Sequence, residues 1–352
     1  MEIEKVKKSR ITKVDFSSLG FGKIFSDHML RMDYKKGKWD EPRITPFGYI
    51  HVLPSLTAFH YAQAIFEGLK AFASKDGTIN IFRPDKHIER FNRSCSRLCI
   101  PGIDKKIFME GMVTLIELER KWIPQQKGYS LYIRPFVFAS DNTIGVHVSL
   151  TYKFFIILSP VGTYYKEGMD PVKLITTIEY TRTAEGGTGS AKTPGNYAAS
   201  LYASHEAQQK GYTDVLWLDS IHKHYIEEVG TMNVFFYIGD ELITPQLGGT
   251  ILAGITRDSV IHLARDWGMK VVERKISMDE VIEAWEKGNL REAFGTGTAA
   301  VISPIGSITH NEKNIIINDG KIGTLSRKLY DTITGIQYGE KQDKFGWCHK
   351  IK

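Results

Sequence analysis

Cysteine is nearly absent: Cys95, Cys99 and Cys348 are the three thiols in 352 residues. Three thiols cannot build a disulfide framework, which favours a reducing, cytoplasmic setting. Cys95 and Cys99 are four apart in a helical pattern and could share a face, but no His or Cys cluster nearby supplies the other ligands of a metal site. They read as buried thiols, and no metal is expected. Long apolar runs are missing as well. Nothing approaches the roughly 20 residues that cross a bilayer, so no membrane partner is expected. The basic start (Lys5, Lys7, Lys8, Arg10) is not followed by a long apolar segment and does not read as a secretory signal. Charge of one sign is also scarce. The net +6 is spread along the chain, and no recognisable nucleic-acid module accompanies it. Internal repeats and low-complexity stretches are absent. What remains, 42% hydrophobic and 24% charged, is an ordinary globular composition with enough length for two domains.

The stretch that stands out is Gly186 to Tyr197, GGTGSAKTPGNY. It sets Lys192 between a glycine-rich run and a Pro-Gly pair, with Tyr197 five residues on. Thr193-Pro194-Gly195-Asn196 fits a type II turn that brings Tyr197 back towards the lysine amine. Asn196 then caps a helix running from Tyr197 to Lys210, with Gly211 as its stop. A lysine among glycines beside a phenol suits Schiff-base chemistry, in which the amine must approach an aldehyde closely. Two other readings stand beside it. One is a surface loop with a solvated lysine. The other is a phosphate-binding P-loop, but that pattern needs glycine immediately before the lysine, and Ala191 stands there.

Periodicity places the other elements. Ala58–Ala71 reads as a turn and a strand broken at Gly68, Thr78–Phe82 as a strand, and Pro84 as the opening of a helix that carries Arg90, Phe91 and Leu98. Ile107–Trp122 is an amphipathic helix; Leu131–Ala139 and Tyr152–Val161 are core strands. After a glycine-bearing connector near Gly168, strands are expected at 172–180, 214–218, 225–228, 234–238 and 270–275, and helices at 256–267, 278–286 and 325–338. The organisation expected is an N-terminal α/β domain (1–168), a connector (169–178) and a larger C-terminal domain (179–352).

Eight separated motifs then combine: FHYAQAIFEGLKAF (59–72), RPDKHIERF (83–91), LYIRP (131–135), SPVGTYY (159–165), AKTPGNY (191–197), EEVGTMNVFF (227–236), LAGITR (252–257) and FGTGTAA (294–300). In content and order they resemble the branched-chain amino acid aminotransferases, fold type IV enzymes of pyridoxal 5′-phosphate (PLP). The resemblance implies two α/β domains (α+β-like) with the cofactor at their interface. It also implies reversible ping-pong transfer of the amino group of leucine, isoleucine or valine to 2-oxoglutarate. Lys192 would carry the cofactor and act as the catalytic residue, Tyr197 would meet the ring hydroxyl, and Glu228 would pair with the pyridine nitrogen. Arg90, the helix start at Ile255 and Thr256, and Thr298 would hold the phosphate.

For the substrate the resemblance implies Phe66, Tyr132, Tyr164, Thr231 and Ala299, with Arg134 orienting the tyrosines and meeting glutamate's side-chain carboxylate. Tyr61, Ile144 and Val146 match positions presented by a neighbouring subunit, so the expected partner is a second copy of the chain. Some animal members carry a Cys-x-x-Cys pair where this chain has Ala300 and Ser303. Within the fold, a D-amino acid aminotransferase or an aminodeoxychorismate lyase is the runner-up; the length and the EEVGTMN and FGTGTAA segments argue against both. A PLP-binding protein without turnover would keep Lys192 but need not keep the tyrosines.

Overall fold

A computed structural model of the chain describes residues 1–162 and 169–352. It divides into two compact units. One comprises Met1–Tyr164, Ala191–Pro194 and Gly335–Lys352; the other comprises Tyr165–Ser190 and Gly195–Thr334. Each unit has its own sheet with helices packed on it, and the class is mixed α/β as expected.

Among the described residues the first sheet has ten strands. Its path runs Glu2–Ile3, Arg43–Pro46, His28–Lys35, Tyr152–Val161, Ser130–Ala139, Leu69–Ala73, Ile79–Phe82 and Cys348–Ile351. Ala64–Phe66 adds beside Ser130–Ala139, and Lys38–Trp39 beside His28–Lys35. The two ten-residue strands pair over their whole length, from Ser130 opposite Val161 to Ala139 opposite Tyr152. Alternation sorts their side chains. Leu131, Ile133 and Val137, with Leu69 and Ala71 of the neighbouring strand, join a core with Phe91, Phe108, Met112 and Leu115 from two helices. Tyr132, Arg134, Gly68 and Lys70 are thereby left on the other face.

The first of those helices, Pro84–Arg97, has Pro84 in its first turn, where the missing N–H costs nothing. The second, Lys105–Leu118, is capped by the Asp104 carboxylate, which accepts from the Lys106 and Ile107 amides at 2.9 and 3.0 Å. A 3-10 turn over Arg120–Trp122 extends it. One expectation fails here. The first helix ends before Cys99, which lies beyond the cap at φ 55° and is exposed; Cys95 alone is buried.

Among the described residues the second sheet has nine strands. It runs Ile226–Val229, Asp214–Leu218, Val172–Thr176, Val301–His310, Leu290–Gly297, Met232–Ile238, Glu241–Thr244 and Lys270–Glu273, with Lys313–Ile316 beside Val301–His310. Val172–Thr176 is parallel to both neighbours, and most of the rest is antiparallel. Helices cover Leu201–Gln209, Ile255–Asp266 and Met278–Glu286.

The stretch after Lys192 also departs from expectation. Pro194–Ala198 is a short helical turn and Gly195 is not at positive φ, so there is no type II turn. A proline suits the first position of a helix as well as a turn, and the helix took it. Asn196 lies inside that turn rather than capping a longer helix. The next helix begins only at Leu201 and stops before Gly211, at φ 84°.

Candidate active site

In the first unit, Lys192 is held at both ends of its backbone. Its amide donates to Ser94 Oγ at 2.9 Å, and its carbonyl accepts from the Phe66 amide at 3.0 Å. Thr193 adds a hydroxyl bond to the Ala64 carbonyl at 2.8 Å. The lysine backbone is thus pinned between the Pro84–Arg97 helix and the short Ala64–Phe66 strand, while its amine lies 4.8 Å from the Phe66 ring centre. Such a contact favours a cation over an aromatic face.

Helical spacing puts His87, Arg90 and Ser94 on one face of their helix, three and four residues apart. While Ser94 takes Lys192, the other two turn to Glu67. Arg90 Nε and Nη2 donate to the two Glu67 oxygens at 2.6 and 2.9 Å, and the His87 ring contacts the same carboxylate at 2.7 Å. Glu67 is completely buried. Burial alone would raise its pKa, but Arg90 and His87 outweigh it and hold the carboxyl well below the usual range. The His87 pKa is lowered as well: burial outweighs its attraction to Glu67 and favours the neutral ring.

Beside this pair the open face of the sheet carries the aromatic residues. Arg134 Nη2 donates to the Tyr132 hydroxyl at 3.1 Å, and its guanidinium carbon lies 4.8 Å from the Phe66 ring centre and 5.3 Å from that of Tyr132. Phe21 meets Tyr132 edge-on, 4.9 Å between centres. Gly68 makes room for this arrangement, because a Cβ there would lie 1.9 Å from the Tyr132 hydroxyl. Lys70 is in register with Tyr132, and burial pushes its ammonium down to about 8. Tyr61 donates to the Ile144 carbonyl; it, Ile144 and Val146 are exposed on the chain. Tyr164 lies outside the described residues.

The second unit holds the remaining candidates. The glycine run is seated rather than loose. The Ser190 amide donates to the Gly249 carbonyl at 2.8 Å, and a Cβ on Gly189 would fall 2.2 Å from the Thr250 oxygen. Asn196 and Thr188 close the run with two mutual hydrogen bonds, at 2.7 and 2.8 Å. Tyr197 sits half-buried in the helical turn that follows.

Glu228 is buried and clamped from both sides. Arg182 forms an ion pair with its Oε2, and Asn233 Nδ2 donates to its Oε1 at 3.0 Å. The same two residues reach the segment that leads into the Ile255–Asp266 helix. Arg182 donates to the Thr250 carbonyl at 2.8 Å and Asn233 to that of Leu252 at 2.9 Å. Gly254 is the N-cap of that helix and brings no side chain to it; a Cβ there would lie 1.8 Å from Asn233 Oδ1. Ile255 and Thr256 open the helix and are buried. Thr231 is exposed at the turn between Ile226–Val229 and Met232–Ile238. Thr298 and Ala299 are half-buried in the turn after Leu290–Gly297. That turn ends on Val301 at φ 64°, a strained conformation for a β-branched residue.

Sequence reasoning did not single out Glu67, His87, Ser94, Arg182 or Asn233. Glu67, His87 and Asn233 stand inside quoted motifs, and that position was the available signal. Ser94 and Arg182 gave none, since their partners are remote in sequence.

Comparison with known proteins adds an independent line. The family model described as amino-transferase class IV matches residues 64–308. The chain is 52% identical over 352 residues to a Bacillus subtilis protein named branched-chain-amino-acid aminotransferase 2, covering all of this chain and 96% of the relative. It is 50% identical over 337 residues to a Staphylococcus aureus protein named probable branched-chain-amino-acid aminotransferase, covering 95% and 94%. Among solved structures, the branched-chain amino acid aminotransferase of Thermobaculum terrenum in its PLP form superposes with a TM-score of 0.77 at 26% identity, covering 93% of this chain and 98% of that one. The Escherichia coli enzyme gives 0.75 at 26% identity, covering 91% and 99%.

Proposed function

The chain belongs to the amino-transferase class IV family, and from that premise we propose that it is a branched-chain amino acid aminotransferase whose catalytic lysine is Lys192. Its cofactor is PLP, and it moves the amino group of leucine, isoleucine or valine reversibly to 2-oxoglutarate, yielding glutamate and a branched 2-oxo acid. The observation that carries this reading is the end-to-end identity of 52% to a protein of that name.

The chain's own residues fit the cofactor. A phosphorylated pyridine aldehyde needs an amine, a cation, backbone donors and a carboxylate. Lys192 supplies the amine and Arg90 the cation. The Ile255–Asp266 helix start has no side-chain cap and directs N–H groups outward, as an anion requires. Thr298 adds a hydroxyl there, and Glu228 supplies the carboxylate. When bound, PLP supplies a carbonyl that receives the amino group from one substrate and passes it to the next, and a ring that draws electrons from the reacting carbon.

The residues divide the remaining work. Lys192 Nζ would take a proton from the donor's Cα in one half-reaction and deliver a proton to the acceptor's in the other, and its backbone, bonded at both ends, leaves the side chain to swing. Tyr197 orients the ring through its hydroxyl oxygen. Glu228, held from two sides, keeps a proton on the ring nitrogen. Phe66, Tyr132 and Thr231 would meet the substrate side chain, Arg134 glutamate's distal carboxylate, and the Ala299 amide the α-carboxylate.

The working assembly is a homodimer. Tyr61, Ile144 and Val146 stand exposed with Tyr49, Leu53, Phe59, Val148 and Leu150, an apolar group of the kind that marks a protein contact. We place the protein in the cytoplasm, in keeping with its three thiols.

The test follows the visible absorption band of bound PLP. Leucine alone should bleach it and 2-oxoglutarate should restore it, with glutamate as product. Absence of glutamate from all three branched donors, or full activity in Lys192→Ala, refutes the reading.

A further inference from the structure

Glu67 has no place in the reaction outlined above, yet it is the most tightly held carboxylate beside Lys192. It accepts from Arg90 through two nitrogens, from His87, and from the Gly68 amide at 3.1 Å. Its own amide donates to the Pro135 carbonyl at 2.8 Å. The residue before it, Phe66, binds the Lys192 carbonyl; the residue after it, Gly68, leaves the space that the Tyr132 hydroxyl fills. A buried acid in this position is costly unless paired, so it is kept by what it pairs with.

A planar guanidinium bound along one edge by a carboxylate loses its freedom to rotate and presents its other edge in a fixed direction. The edge that meets Glu67 is Nε with Nη2. We infer that Glu67 is a positioning residue that fixes the plane of Arg90 for the cofactor's phosphate, with His87 and the Gly68 amide fixing Glu67 in turn. The inference rests on the assignment of Arg90 to the phosphate. Because the Glu67 carboxylate offsets the Arg90 charge, Arg90 serves the phosphate through direction more than through net charge.

The test compares PLP with pyridoxal, which lacks the phosphate. Apo-protein is titrated with each, and binding is followed by tryptophan fluorescence. The proteins are the parent, Glu67→Gln, Glu67→Asp, Arg90→Met and the double variant Glu67→Gln/Arg90→Met. Glu67→Gln removes the charge; Glu67→Asp keeps it but withdraws the carboxylate by one methylene, and it serves if the glutamine variant does not fold. Removing a partner that orients a binding group costs about 10- to 100-fold in the related case of metal ligands.

We expect Glu67→Gln to weaken PLP about tenfold or more, Glu67→Asp to weaken it less, and pyridoxal affinity to stay within about twofold in both. In the Arg90→Met background, Glu67→Gln should cause no further loss of PLP. Unchanged PLP affinity in the Glu67 variants overturns the inference. An equal loss for PLP and pyridoxal also overturns it, because a purely structural role acts on both. If Arg90→Met leaves the PLP-to-pyridoxal ratio at the parent value, the phosphate assignment itself is wrong, and the inference falls with it.

Discussion

Arg182→Met tests whether Glu228 is held by an ion pair or merely touches one. Both side chains are buried, at 7% and 4% exposure. Breaking a buried pair by removing one partner costs about 3–5 kcal/mol, because the remaining charge has lost its compensation. Three features place the value near the lower end. Asn233 still donates to Glu228, the Thr250 carbonyl keeps the Thr183 hydroxyl at 2.8 Å, and Arg182 Nε already lacks a partner among the described residues. We therefore expect a loss of about 3 kcal/mol, read in urea as a lower unfolding midpoint of the apo-protein at unchanged slope. The double variant Arg182→Met/Glu228→Gln separates the pair from its surroundings. With the carboxylate gone, loss of the guanidinium should cost markedly less, giving a coupling above about 1 kcal/mol. Turnover should fall in Arg182→Met, since the carboxylate loses its ion-pair restraint. Strict additivity in the cycle, or a loss below about 1 kcal/mol, refutes the reasoning.

Gly68→Ala drives a methyl group to 1.9 Å from the Tyr132 hydroxyl, so the ring must move. Overpacking of this kind costs about 1–3 kcal/mol, and the displaced pocket wall should raise KM for leucine more than it lowers kcat; an unchanged KM counts against Tyr132 as a pocket residue. The 141–151 loop should show a pH window. Burial works to raise the Asp141 pKa, but bonds from Thr151, Leu150, His147 and Ser149 bring it down to about 2. His147 is raised by its bond to the Gly145 carbonyl and then by Asp141. The Asp141 contribution is full above its unfolded pKa near 4 and is lost as pH falls towards 2, whereas that of His147 is full below its unfolded pKa and is lost as pH rises through the folded one. Hydrogen exchange in the loop, corrected for the intrinsic rate, should be slowest between these limits; a pH-independent protection factor contradicts this. Alkylation near neutral pH should reach Cys99 first, because burial raises the Cys95 thiol and pushes Cys348 up to about 12. Activity should survive modification of Cys99 and mild peroxide, and a loss reversed by reductant would expose a redox switch.

Elements whose side chains alternate or repeat on one face were legible in the sequence. Ser130–Ala139, Tyr152–Val161, Asp214–Leu218 and Met278–Glu286 lie within a residue of where periodicity puts them. Leu290–Gly297 was not, because Gly295 and Gly297 weaken a strand signal. Their reason is packing: a Cβ on Gly295 would lie 2.9 Å from Val229 and 3.0 Å from Met232, residues more than 60 positions earlier. The final strand Cys348–Ile351 was equally hidden, since it exists only by pairing with Ile79–Phe82 near the other end of the chain.

The candidate site divides in the same way. Lys192, Arg90 and Glu228 could be named because their types and motif contexts suit the chemistry. What holds them could not be named, for a physical reason. Glu67 and Arg90 are 23 residues apart, Ser94 and Lys192 are 98 apart, and Arg182 meets Glu228 from a segment outside its sheet. A lone acid in FEGLKAF looks solvated, as an arginine in RPDKHIERF does, until each is seen as the reason the other can be buried. Unpaired, either would cost several kcal/mol in the interior; paired, they become nearly rigid. Burial of a charge therefore points to a partner, and the partner's direction fixes the charge's geometry. Such pairs are where this chain sets the precision of its chemistry, and they depend on contacts that appear only once the chain has folded.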